Sequence, residues 1–245
     1  MNKLIFSFFF LLIFNFASEI FSQNKNEFVT DLFTLALNNN SLSVLDKKES
    51  QIYSNEFQNP AGYLSDLDMD GNDEFLVKDA ISIDNKARYE LYIYNLLDTF
   101  FLAGKINSGT TEPYEAESGE IEGLIVVSGN PDFSFMNNDS EFLSLPINCW
   151  KFEEGKISIV NSEIYDSFIT ENNNILLTLD SFFVENGNDC NSSSRIKSFI
   201  GSAYINYLNA GENSVASNFI KTYYSCDDAD QFKQELDNLF SKDNN

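Results

Sequence analysis

Residues 66–77 read DLDMDGNDEFLV. Asp66, Asp68 and Asp70 alternate, Gly71 follows, and Asp73 and Glu74 precede the apolar run Phe75–Val77. Alternate residues of an extended segment point the same way, and a glycine then lets the backbone fold sharply. The three aspartates can therefore converge. The carbonyl of Asn72 can add an oxygen as the chain turns, and Glu74 can close the cage from the start of a strand. Carboxylates this dense repel one another unless a positive charge sits among them. A hard divalent cation with about six to eight oxygen ligands, Ca²⁺ above all, suits that chemistry.

The residues after the acids decide the kind of loop. An EF-hand loop carries a bidentate Glu at its twelfth position and is flanked by helices. Counted from Asp66, that position is Val77, inside an apolar strand run. The loop therefore opens a sheet. Glu74–Ile83 is one apolar run, and Arg88–Leu97 (RYELYIYNLL) alternates, with Tyr89, Leu91, Ile93 and Asn95 on one side. Thr99–Ile106 comes after a short turn, and three such strands in succession predict an antiparallel meander. Ile121–Val127, Glu141–Leu145, Cys149–Phe152 and Lys156–Val160 continue the strand signal. Glu153-Glu154-Gly155 is a hairpin turn between the last two.

Outward from this region the period changes. Residues 26–37 (NEFVTDLFTLAL) place Phe28, Val29, Leu32, Phe33, Leu35 and Ala36 at helical spacing, and Asn38-Asn39-Asn40 ends the pattern. After Asn161 the apolar positions again recur three and four apart. Glu163–Val184 is helical with an interruption at Asn172-Asn173-Asn174. Arg195–Leu208 is an amphipathic helix ended by Asn209-Ala210-Gly211. Ser214–Tyr224 is another, and Asp228–Phe240 a third, with Asp228 or Asp230 as N-cap. The fold class is thus α+β: a β-rich region over residues 23–161 containing a meander, then a helical region over 162–245 packed on it. No linker rich in Pro or Gly parts the two, so one unit of packed layers and two domains are equally open.

The segment around the acids resembles the calcium loop of FG-GAP and VCBS-type repeats, as found in integrin-like β-propellers. There, D-x-D/N-x-D-G-x-x-D/E leads straight into a strand, as Asp66–Glu74 leads into Phe75–Val77. The strand Leu91–Tyr94 (LYIY) follows at the distance these repeats show. The resemblance covers about residues 62–106. It implies Asp66, Asp68, Asp70 and Glu74 as side-chain ligands of Ca²⁺ and Asn72 as a carbonyl ligand. One copy of the motif is present, so a blade-like sheet, extended by other strands and covered by helices, is expected in place of a whole propeller.

Composition narrows the function classes. The chain has 245 residues with 15 Lys+Arg against 38 Asp+Glu, a formal charge of −23. Nucleic acids and anionic membranes bind through Lys and Arg, so neither is an expected partner. There is no histidine, which removes Ser-His-Asp and Cys-His catalysis and His-ligated zinc. Catalysis would fall to carboxylates, Tyr, Lys or a bound metal. A carboxylate-dependent, glycosidase-like hydrolase of extracellular polymers is the alternative to a calcium-binding interaction module.

Met1-Asn2-Lys3 followed by the apolar run Leu4–Phe14 has the form of a secretory leader over residues 1–22, with cleavage expected after Ser22. It is shorter than the ~20 apolar residues of a membrane span. A secreted, periplasmic or cell-surface location is expected, with a protein or glycan as partner and no membrane span after cleavage. The three cysteines, Cys149, Cys190 and Cys226, leave one over. A Cys190–Cys226 bridge would staple the two ends of a helical segment. Three buried thiols, or pairings through Cys149, are the alternatives. The glutamates 112, 115, 117, 120 and 122 form a solvated acidic loop or a second, looser cation site. Cys149-Trp150 belongs to the core.

Overall fold

A computed structural model describes residues 25–83, 86–136, 144–186 and 193–243. The expected leader lies outside the described residues, as does most of the strand expected at Glu141–Leu145. The architecture is α+β: three antiparallel sheets of four strands, then four helices among the described residues. The chain divides into two compact units, Met1–Phe57 and Gln58–Asn245.

The first unit corrects the helix expected over residues 26–37. It is a meander of β1 (Lys25–Val29), β2 (Phe33–Asn38), β3 (Ser41–Asp46) and β4 (Gln51–Glu56). The same apolar residues satisfy both periods. Phe33, Leu35 and Leu37 alternate with polar or small positions, and they are buried together with Leu42 and Val44 on β3. Leu35 pairs with Val44 and Leu37 with Leu42, so cross-strand packing settles what spacing left open. The apparent helix stop is the β2–β3 hairpin turn, with Asn39 at φ 50°, a conformation Asn tolerates better than most residues. Thr30 breaks the run before it, its Oγ1 accepting the Phe33 amide at 3.0 Å.

The second unit opens where Asp79 gathers the chain: its carboxylate accepts the amides of Gln58 and Asn59 at 2.7–3.1 Å. The first sheet is β5 (Pro60–Ser65), β6 (Glu74–Ile83), β7 (Lys86–Asn95) and β8 (Phe101–Gly109), in sequential order. The expected meander is therefore present, with one more strand before it. The second sheet is β9 (Tyr114–Glu117), β10 (Leu124–Gly129), β11 (Ile147–Glu153) and β12 (Lys156–Ile159). The expected turn between β11 and β12 holds, with Glu154 at φ 51° and Gly155 at φ 72°, the paired positive φ of a type I′ hairpin.

The two sheets share one core: Leu67, Leu76, Leu91, Ile93 and Ile106 from the first side meet Val126 and Phe152 from the second. The opposite face of the second sheet, Ile125, Val127, Ile147 and Cys149, packs on Val160, Ile164 and Phe168. Alternate side chains of β10 thus serve two different cores.

Helix α1 (Asp166–Asn186) runs through the asparagines expected to interrupt it. Asn173 and Asn174 face solvent, while buried Asn172 donates from Nδ2 to the Ala203 carbonyl at 3.1 Å. A helix accommodates Asn when its amide finds a partner on a neighbour. Helices α2 (Ser193–Asn209), α3 (Asn213–Tyr223) and α4 (Ala229–Asp243) complete the layer. Their apolar faces, including Ile200, Tyr204, Phe219, Phe232 and Leu236, close on Ile175 and Leu179 of α1. Helix α2 ends as expected at Gly211, which takes φ 77°. The Gly211 amide bonds the Leu208 carbonyl and the Glu212 amide that of Tyr207, a Schellman closure. Asp228 precedes α4, but its carboxylate is turned to Lys197 and Tyr224. No helix among the described residues is long and apolar enough to cross a membrane.

Candidate metal centre

Ser65 and Glu74 are paired across β5 and β6, so residues 66–73 form the connection between two neighbouring strands. Leu67 turns into the inter-sheet core and is 1% exposed. Asp66 and Asp68, on either side of it, turn the other way. Oxygens of Asp66, Asp68 and Glu74 lie within 4.8 Å of one another. Three of the five expected ligands are therefore brought together.

Asp70 lies outside that group. Its Oδ1 accepts the Asn72 amide at 2.8 Å and Asn72 Nδ2 at 3.0 Å, bonds that involve neither Asp70 Oδ2 nor the Asn72 carbonyl. The remaining loop bonds shape the turn. Gly71 at φ 91° donates its amide to Asp66 Oδ2 at 3.0 Å, and Met69 takes φ 58°. Glu74 Oε2 accepts the Leu67 amide at 3.0 Å.

The electrostatics are unbalanced. Glu74 is 2% exposed. Burial pushes its carboxyl up to about 8, with the charges of Asp68, Asp70 and Asp66 adding to the rise against the Leu67 hydrogen bond. Asp68 is also raised, by burial first and then by Asp70 and Asp66. Asp66 Oδ1 is buried and accepts no hydrogen bond from the described residues. An unpaired buried carboxylate oxygen costs free energy that a cation would offset.

The loop is also fastened to the second sheet. The Leu67 carbonyl accepts the Leu124 amide at 2.8 Å. Gly123, at φ 93°, lets the two backbones approach, since a Cβ there would stand 2.8 Å from the Leu67 oxygen. Neither residue stands out in the sequence. A glycine before an apolar strand is too common to be a signal, and its partner is distant in the chain.

The other acidic stretch behaves differently. Glu112 pairs with Lys78 at 2.8 Å. Glu115 accepts from Ser65 Oγ at 2.5 Å and from Tyr63, whose hydroxyl is raised by burial and by that carboxylate. Glu120 accepts the amides of Tyr165 and Asp166 at the start of α1, at 3.2 and 3.0 Å, and Ser118 Oγ at 2.7 Å. These donors hold its carboxyl below the usual range, Ser118 first.

Cys149 is free and buried on β11, which removes the pairings through Cys149. Burial, and the charge of Glu120 after it, push its thiol up to about 12. The other expected bridge involves Cys190, which lies outside the described residues. Trp150 is half-buried and donates from Nε1 to Ser128 Oγ at 2.8 Å.

Comparison with protein-family models, with curated proteins and with solved structures finds no match to this chain.

Proposed function

We propose that this protein is a secreted calcium-binding interaction module in which the ion is structural. Ca²⁺ is held by Asp66, Asp68 and Glu74, with Asp70 and the Asn72 carbonyl joining as the loop closes around it. The observation that carries this reading is the buried, unpartnered Asp66 Oδ1 beside carboxylates of Asp68 and Glu74. The ion orders the β5–β6 connection and, through Leu67 and Leu124, braces one sheet against the other. A protein or glycan partner is held elsewhere on the surface. An oxidising, calcium-containing compartment suits both the ion and a Cys190–Cys226 bridge.

Thermal melting with EDTA, with Ca²⁺ and with Mg²⁺ tests this reading. Calcium at about a hundred times its dissociation constant adds about 2.7 kcal/mol, which shifts the melt of a unit this size by roughly 5–10 °C. Mg²⁺, which demands tighter octahedral geometry, should give a smaller shift. A melt that is the same in EDTA and in Ca²⁺ overturns the reading.

A further inference from the structure

The second unit contains a cavity of about 290 Å³ whose walls are rich in asparagine: Asn107, Asn130, Asn148, Asn161 and Asn209, with Trp150 beside them. It lies among β8, β11, the 3-10 turn Pro131–Met136 and the end of α2. No residue of the 66–74 loop lines it. Its floor is buried, with Asn130 7% and Asn148 8% exposed, while Asn161 and Asn209 are half-buried and Asn107 is exposed.

Its amides are held in place. Asn161 Nδ2 donates to Asn148 Oδ1 at 3.0 Å, while Asn161 Oδ1 accepts the Cys149 amide at 2.8 Å. Asn130 Oδ1 accepts the Asp132 amide at 3.1 Å. Asn107 Oδ1 accepts the Gly109 amide at 3.1 Å. The indole is anchored through its bond to Ser128.

The chemistry selects an occupant. The side-chain oxygens of Asn107 and Asn148 each accept one hydrogen bond from the protein and keep a second lone pair beside an Nδ2 donor, which suits a group that both donates and accepts, as a sugar hydroxyl does. Among the described residues no Lys or Arg lines the cavity, and the charged group there is the carboxylate of Asp132, so an anion is disfavoured. An aromatic π system, negative at its face, attracts the polarised C–H bonds of a sugar ring. The volume sits at the lower end of small-molecule pockets and suits a single ring. We propose that this cavity binds one neutral pyranose residue, free or at the end of a glycan chain, through the amides of Asn107, Asn148 and Asn209 against Trp150. This deepens the interaction reading above by naming the glycan and its site, and it requires no ion.

Trp150 is the one tryptophan of the chain, so its emission reports on the cavity directly. The full chain is titrated with the methyl glycosides of glucose, galactose, mannose and N-acetylglucosamine, and with lactose and maltose. Sorbitol and glucuronate serve as controls. A saturable change in emission is expected for at least one neutral glycoside. The matching disaccharide gives the same change if the cavity takes chain ends, and none if it takes only the free sugar. Asn148→Ala should weaken binding about tenfold, the loss of one well-placed hydrogen bond. Should that variant fail to fold, Asn107→Ala and Asn209→Ala carry the same expectation, several-fold each. The titration should be identical in EDTA and in Ca²⁺. Failure here with a calcium-shifted melt would leave the ion reading intact, and the converse holds. No saturable response to any glycoside, a response equalled by sorbitol, tighter binding of glucuronate, or a response that every variant leaves unchanged overturns the proposal.

Discussion

The two acidic stretches of the second unit have similar composition and opposite electrostatics. Between Glu112 and Glu120, three glutamates meet donors supplied by the protein itself: Lys78, Ser65 with Tyr63, and the first amides of α1. Between Asp66 and Glu74 the donors are the loop's own amides, and Asp66 Oδ1 has none. Glu120 is accordingly held below the usual carboxylate range and Glu74 pushed above it. Acid density alone therefore does not separate the two stretches; the tally of partners does.

The contrast breaks most sharply at Asp66. Asp66→Asn should abolish the calcium-induced rise in melting temperature, a loss of about 2.7 kcal/mol near saturation. In EDTA the same substitution should raise the melt, because it removes one of the mutually repelling charges. A lower melt in both conditions would make Asp66 merely a turn residue. Glu74 gives the pH counterpart. Its folded value, about 8, lies above the unfolded one. The metal-free fold is thus favoured at low pH and loses that contribution as pH rises from about 4.5 toward 8. Calcium affinity should climb over the same interval as the proton is displaced. Glu74→Gln should flatten the pH dependence of the metal-free melt.

Gly123→Ala tests the link between the loop and the second sheet. The added Cβ meets the Leu67 carbonyl in a backbone conformation that disfavours side chains, and a cost of about 1–3 kcal/mol is expected from chemical denaturation. Calcium affinity should fall with it, since the loop is displaced. Glu120→Ala is the smallest change. It frees the α1 amides at a cost of about 1 kcal/mol, equally in EDTA and in calcium. Its pH sign is opposite to that of Glu74: a depressed carboxyl contributes above its unfolded value and is lost as pH falls.

Much of the second unit was legible because its patterns were unambiguous. Glu74–Ile83 begins and ends where the apolar run does, and Glu154-Gly155 can form the tight turn that hairpins favour. The first unit was not legible in this way. Phe33, Leu35 and Leu37 fit period two as well as period 3.6, and only pairing with Leu42 and Val44 decides between them. The acidic loop was half legible. Alternation correctly set Asp66 and Asp68 on one side, but the spacing of Asp70 did not show that its carboxylate would turn to Asn72. The cavity asparagines were invisible, since Asn107, Asn148 and Asn209 share no local pattern.

By itself, the sequence determined the α+β class, the loop-into-strand character of Asp66–Val77 and the absence of histidine chemistry. These rest on periodicity, turn residues and composition, which act over a few neighbouring positions. The tertiary structure decided which carboxylates find donors, where β10 grips the loop and how distant asparagines come to line one cavity. Those outcomes depend on contacts between residues tens of positions apart, and a pairing across sheets leaves no trace in local spacing.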